Sequence, residues 1–466
     1  MKFIVVVILA MCTYLNVRAQ YSPDTTSRHP WIAAAEVTAV NALVMGYDHL
    51  FVDAPWYKVS IHSLKDNIQP RNWWWDKDYF DTNAINHPYH GALYYTAARS
   101  NGLDIGTASL YTLGGSLVWE VICESEHPAI NDLITTTVGG IALGEPMHRI
   151  SNCVLDDSKR GIERVGRELL ATLIDPMNGL NRLLRGQSWR VGPRTNQPTD
   201  INVSVETGVR YTDISNLTTV TTAAATLDVS HGDVLGSEGR RPFDYFTLQL
   251  TAVAGQHQAL INTLCVGHQL WSRPLTNKAE TNAAIGIYNY YDYHNVTTEY
   301  NANEDRRRRK PYCYLEIGAI GPGIAYRYGK YFLQQLVVNG IALGCLPSAR
   351  ANTAGIRRGY SYASGYGIRL NNSLSIGKTL QTDIALKASR LFNWDDYYAN
   401  DDRRSATIEH GHATTLTLEP AVKLTPLTNI GISLRARYFW YRTEAPSLET
   451  QTTHSWEVQG GLQYQF

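Results

Sequence analysis

From about residue 188 to the C-terminus, apolar and polar residues alternate with a period of two, and this repeat limits the possible folds more than any other feature. In the closing stretch "SWEVQGGLQYQF", Trp456, Val458, Gly460, Leu462, Tyr464 and Phe466 fall on one register. Ser455, Glu457, Gln459, Gly461, Gln463 and Gln465 fall on the other. The same pattern sets Phe246, Leu248 and Leu250 against Thr247, Gln249 and Thr251, and Leu416, Leu418 and Val422 against Thr415, Thr417 and Lys423. It also sets Ile430, Ile432, Leu434 and Ala436 against Gly431, Ser433, Arg435 and Arg437. About twelve such segments occur, which predicts one large antiparallel sheet and excludes a βαβ fold.

A secreted β-sandwich also alternates, so further features must decide. The segments run roughly ten residues or more, the length a tilted strand needs to cross a bilayer. Short turns such as Tyr328-Gly329-Lys330 and Gly377-Lys378 alternate with long polar loops at 295–310, 347–358 and 395–406. Membrane barrels show this asymmetry, with short periplasmic turns and long outer loops. Tyrosine (29) and tryptophan (11) outnumber phenylalanine (9), as aromatic girdles at two membrane boundaries require. The final Phe466 resembles the C-terminal signature by which outer-membrane proteins are handed to the barrel-assembly machinery, an expected partner during biogenesis. Because lipid offers backbone groups no water, the sheet must close on itself, with its apolar face toward lipid. The expectation is an α+β chain with a C-terminal transmembrane β-barrel of about twelve strands over 188–466. The turn-and-loop parity is regular from about residue 311 and slips before it, at 230–243 and 272–281.

The N-terminus reads as a cleaved signal peptide over 1–19: Lys2, the apolar run "FIVVVILA", and Val17-Arg18-Ala19 before Gln20. This implies export and an outer-membrane location. Lysine plus arginine (42) equals aspartate plus glutamate (42), so no net field recruits nucleic acid. The run Arg306-Arg307-Arg308-Arg309-Lys310 reads as a solvated loop. Cys123, Cys153, Cys265, Cys313 and Cys345 are odd in number and widely spaced, which does not make a disulfide framework.

Between the two ends, residues 20–75 read as a mixed periplasmic lead-in ending in Trp73-Trp74-Trp75. Residues 76–187 read as a small helical domain of four or five short helices, with apolar residues at three- and four-residue spacing. Pro128 suits a first helical turn, and Asp132 after it favours the positive end of the dipole. The segments "WWWDKDYFDTNAINHPYHGALYYTAARSNGL", "GSLVWEVICESEHPAINDLITTTVGGIALGEPMHRIS" and "RVGRELLATLIDPMNGLNRLLRG" resemble an uncharacterised group of Gram-negative envelope proteins, domain of unknown function 3943. The resemblance covers about residues 73–189. It implies an outer-membrane or periplasm-facing protein with a barrel after the domain, and it implies no reaction or cofactor.

Candidate chemistry in the helical domain rests on paired polar residues. His87 and His90 stand in an H-x-x-H spacing that shares one helix face, and Glu120 and Glu124 are four apart on the next helix. Asn131 and Asp132 open a third helix, and Glu145 and Arg149 sit four apart on its continuation. His87, His90 and Glu120 are the candidate ligands for Zn²⁺ or another divalent ion. His87, His90, Glu120, Glu124 and Asp132 are the candidate acid–base set for a hydrolytic enzyme acting on lipid or another envelope component. The competing reading makes these residues, with Asn131, Glu145 and Arg149, a polar network that ties helices together. Gly114-Gly115, Gly139-Gly140 and Gly144 permit close helix contact, and the charged run 161–168 forms a helix face near outer-membrane lipid head groups. No G-x-S-x-G, Walker, CxxC or haem-attachment motif occurs. A third reading is a narrow pore in which lumen-facing Arg435, Arg437, Lys387, Glu419 and Glu457 pair and close the channel. The reading adopted is an outer-membrane barrel with a periplasm-facing helical domain in a structural or binding role.

Overall fold

A computed structural model of the chain describes residues 27–52, 55–75, 78–193, 201–215, 218–236, 241–255, 259–278, 280–296, 313–347, 360–377, 379–393, 411–445 and 448–466. The signal-peptide segment, the basic run 306–310, and most of the long loops at 295–310, 347–358 and 395–406 lie outside the described residues. The chain divides into two compact units, Met1–Thr199 and Asp200–Phe466.

The first unit is helical. Among the described residues it holds eight α-helices: α1 (Pro30–Tyr47), α2 (Ile61–Asn67), α3 (His87–Ser100), α4 (Ile105–Val118), α5 (Ile130–Ile134), α6 (Gly140–Val154), α7 (Gly161–Ile174) and α8 (Pro176–Leu184). Helix α3 is central. His90 through Ala98 are almost wholly buried, and a helix enclosed on all sides needs partners all round. It finds them in α1, whose Ala33, Val37 and Val40 lie one face apart and meet Tyr94, Tyr95, Ala97 and Ala98. On its other side the π-helical turn Thr135–Gly139, which leads into α6, approaches so closely that a Cβ on Gly91 would stand 1.8 Å from the Thr136 carbonyl oxygen. Asp104 and Asp175 cap α4 and α8, accepting the amides of Thr107 and Asn178 at 3.0 Å.

Among the described residues the first helix therefore starts at Pro30, inside the stretch read as a lead-in. Apolar residues occur all around α1, with Trp31 and Leu43 on its outer side, and this hides a 3.6-residue period. The tryptophan cluster is fixed by main-chain pairing: Trp74 donates to the Pro128 carbonyl at 3.1 Å, and Ile130 donates back to Trp74 at 2.8 Å. This pairing holds Ala129 extended, so α5 starts at Ile130, two residues later than the proline suggests.

The second unit is a closed antiparallel barrel of twelve strands. They are β1 (Ile201–Ile214), β2 (Thr218–His231), β3 (Phe246–Ala254), β4 (Ile261–Asn277), β5 (Thr281–Asn295), β6 (Cys313–Tyr328), β7 (Phe332–Pro347), β8 (Tyr360–Ile376), β9 (Leu380–Asn393), β10 (His412–Leu424), β11 (Ile430–Ala445) and β12 (Leu448–Gln465). Each pairs with its sequence neighbours, and β1 closes the ring on β12 with Val209 opposite Gly460 and Tyr211 opposite Val458. Gly329 (φ +56°) and Gly377 (φ +64°) supply the left-handed residue in two of the tight turns. Both irregularities in the sequence parity have a local cause. After β2, residues 232–236 and 241–245 fold back, with Val234, Leu235 and Phe243 buried and Asp233 paired to Arg327 at 2.8 Å. Strand β4 runs through 272–277, and shifts of register at Gln269/Trp271 and Pro274/Thr276 break its period of two.

Burial on the barrel is the reverse of a soluble protein's. On β12 the side chains of Ser455, Glu457 and Gln459 are enclosed, while Trp456, Val458, Leu462 and Tyr464 are exposed. On β11, Ile430, Ile432 and Leu434 face out while Ser433 and Arg437 face in. An apolar belt turned outward on a closed cylinder is stable only in lipid. No described helix is long and apolar enough to cross a membrane; the strands cross.

Candidate functional site

In the helical unit the sequence candidates lie on neighbouring elements, each held by its own partners. His87 starts α3, with Nε2 3.6 Å from Asp132 on α5 and Nδ1 3.3 Å from the Thr136 hydroxyl. Asn131 donates to Asp132 at 2.5 Å and lies 3.4 Å from Asn83. His90 turns the other way. Its Nε2 is 2.7 Å from Tyr94 Oη, and its ring stands edge-on to Trp119 with centroids 5.1 Å apart. Asn41 donates to the Gly115 carbonyl at 3.3 Å and accepts from Tyr94. The tyrosine proton thus goes to Asn41, and His90 donates from Nε2. Burial and the neighbouring His87 push the His90 imidazole down to about 3, so it is neutral at any ordinary pH.

Glu120 and Glu124 do not share a helix face. A π-helical turn at Trp119–Cys123 ends α4, and Glu124 is already extended. Glu120 accepts the Ala129 amide at 2.8 Å, and Glu124 accepts the Trp119 indole at 2.7 Å. The proposed ligand trio of His87, His90 and Glu120 is therefore not assembled, because each side chain is oriented by a different neighbour. Among the described residues no group of three or more His, Cys, Asp or Glu is placed to hold a metal ion.

Glu145 is the centre of the strongest network. The carboxylate is fully buried and accepts from Tyr95 Oη (2.9 Å), Arg99 Nε (2.7 Å) and Arg149 Nε (2.8 Å). Burial opposes its charge, but the two guanidiniums prevail and hold it well below the usual carboxylate range. The pairing of Glu145 with Arg149 follows from their four-residue spacing; Arg99 and Tyr95 come from another helix and carry no such signal. A second carboxylate unmarked in the sequence, Glu36, accepts from Asn101 (2.8 Å) and Asn181 (2.9 Å), and burial raises its pKa. His148 Nδ1 lies 3.1 Å from Asp175, and Asn152 stands 3.1 Å from Nε2. Ser151 is nearby but donates to the Ala171 carbonyl and accepts from Asn178, so no Ser–His–Asp relay forms.

The barrel interior holds the second candidate site. Arg437 pairs with Glu419 at 2.6 Å, Arg435 with Glu206 (2.9 Å) and Asp228 (2.8 Å), and Lys387 with Asp292 at 3.1 Å. Arg369 bridges Asp292 and Glu316, and Arg210 pairs with Glu457. Several links cross the lumen. Arg437 on β11 donates to His294 on β5, six strands away around a ring of twelve. His294 in turn lies 2.6 Å from Glu457 on β12. Toward the long-loop end, Tyr314 on β6 packs on Phe439 of β11 at 5.3 Å between centroids, again across the cylinder. A cavity of about 760 Å³ opens among these charges, with Arg210, Arg369, Arg435 and Arg437 in its lining, and reaches the strand ends at the short-turn side, where Asn202, Ser373, Gln381 and Gln465 line it. The lumen residues found here for the first time, Arg210, Asp292, His294, Glu316 and Arg369, lie on the enclosed polar registers of their strands. Which of them meet was invisible in one dimension.

Solved structures with a related course of chain include the NanC porin, at 9% identity over 55% of this chain and 98% of that chain (TM-score 0.27). An outer membrane channel from Pseudomonas putida F1 shows 15% identity over 58% and 97% of the two chains (TM-score 0.28). The KdgM porin, solved with disordered oligogalacturonate, shows 11% identity over 56% and 99% (TM-score 0.22). No curated protein matches the chain. One family model, that of a domain of unknown function (DUF3943), matches residues 72–177, within the helical unit of this outer-membrane-type barrel protein.

Proposed function

We propose that the protein is an outer-membrane anchor with a non-enzymatic, structural or binding role, its barrel closed to free passage and its helical unit facing the periplasm. The bond from Arg437 to His294 carries this reading, because a link between opposite walls divides the lumen and narrows any passage at its level. The periplasmic placement is supported by β1 and β12, which begin and end on the short-turn side, so the preceding unit joins the barrel there. In the helical unit His87, His90, Glu120, Glu124 and Asp132 each hold a neighbouring element, which favours scaffold over catalysis. Lipid of the outer membrane and the barrel-assembly machinery are its expected partners.

The test is single-channel recording of the purified full-length protein in planar bilayers. Silence across several salts is expected, and stable conductance steps from the wild type would overturn the closed-barrel reading. A narrow pore is the second reading, and the 760 Å³ cavity favours it. It requires those same steps in the wild type, with a size sensitive to Arg437.

A further inference from the structure

Helices α7 and α8 are built inside out. Between them lie two buried arginines and their acids: Arg164 with Asp157 (2.9 Å) and Glu168 (3.0 Å), and Arg182 with the same two (2.6 and 2.7 Å). The outer side is apolar. Ile162, Val165, Leu169 and Leu173, spaced three, four and four residues apart on one face of α7, are all exposed, Ile162 to 87% and Leu173 to 78%. Leu183 and Leu184 extend the patch on α8. A helix pair in water would bury the leucines and solvate the arginines. This pair repeats the inversion seen on the barrel wall.

We propose that the outer face of α7 and α8 lies in the head-group and upper acyl region of the same membrane that holds the barrel, on its periplasmic leaflet. Two observations select lipid as the occupant. The polarity of the helices is inverted, as an apolar surrounding requires. Exposed Arg160, two residues before Ile162, complements anionic lipid phosphates, and exposed Trp189 is a residue type that favours the boundary. The inference rests on the periplasmic placement of the helical unit and adds a membrane-facing surface to it.

The test uses the full chain in vesicles of phosphatidylethanolamine and phosphatidylglycerol, with dansylalanine replacing Leu173. Flotation with the vesicles reports barrel insertion independently of the probe. With lipid spin-labelled near its head group, emission should fall at least about twofold, and aqueous iodide should quench at least about twofold less than it quenches free dansylalanine. Leu169→Glu in the same chain should roughly halve the lipid quenching while flotation is unchanged. Full access to iodide in protein that floats would overturn the proposal and leave the barrel standing. Shielding from iodide without quenching by lipid would also overturn it, since protein would then cover the face.

Discussion

Trp456 and Glu457 are consecutive on β12, and the barrel wall separates them: the indole is 47% exposed and the carboxylate-bearing residue 1%. Their neighbours obey the same rule, with Val458 out and Gln459 in. The side chain that water would solvate is enclosed, and the one it would reject is displayed.

Val458→Arg places a charge on that displayed face near the middle of the strand. It should cost about 2–4 kcal/mol of barrel stability if the face meets hydrocarbon. Urea unfolding in lipid vesicles measures this, and a cost near zero would place Val458 in water.

Arg437→Ala removes the donor that spans the lumen and leaves Glu419 and His294 without it. Breaking one side of a buried pair should destabilise the barrel by about 3–5 kcal/mol. Conductance bursts absent from the wild type should appear in planar bilayers.

Glu145→Gln leaves the partly buried Arg99 and Arg149 beside a neutral amide, and should destabilise the helical unit by about 3–5 kcal/mol in limited proteolysis of the full chain. The carboxyl's pKa is lowered from 4.5, so the wild-type unit holds the stabilisation above that pH and loses it as pH falls further. The variant should lack this acid loss.

His90 acts in a different window. It stays neutral in the folded unit down to about 3, whereas the unfolded chain takes up a proton near 6.5. Stability from this group is therefore complete above 6.5 and declines on acidification, by about 2 kcal/mol at about pH 5. His90→Gln should flatten protease resistance between pH 7 and 5; an unchanged slope would assign the loss elsewhere.

Gly115→Ala and Gly114→Ala separate packing from propensity on α4. A Cβ at Gly115 would meet the Tyr94 ring and Val37 at 2.8 Å, while at Gly114 it would meet nothing within 4 Å. The first should destabilise by about 1–3 kcal/mol and the second stabilise by up to about 1 kcal/mol, read by proteolysis of the full chain.

The barrel was legible because each strand side chain's face depends only on its parity, and a two-residue period survives in the sequence wherever lipid lies on one side and the lumen on the other. It failed to register only where 232–236 and 241–245 fold back and where β4 shifts register. The helical unit was legible in type and less so in extent, since α1 is apolar all round. Its four-apart pair Glu145 and Arg149 was readable; Glu120 and Glu124 were not, because a π-helical turn changes the local period.

Taken alone, the order of residues determined which half is helix, which half is strand, and which strand faces are polar, because these follow from local periodicity and solvent preference. The tertiary structure decided everything that depends on closure: that Arg437 meets His294 across the ring, that Arg99 reaches Glu145, and that His90 turns to Tyr94 and away from Glu120. Such contacts join residues far apart in the chain, and only the fold sets the distance between them.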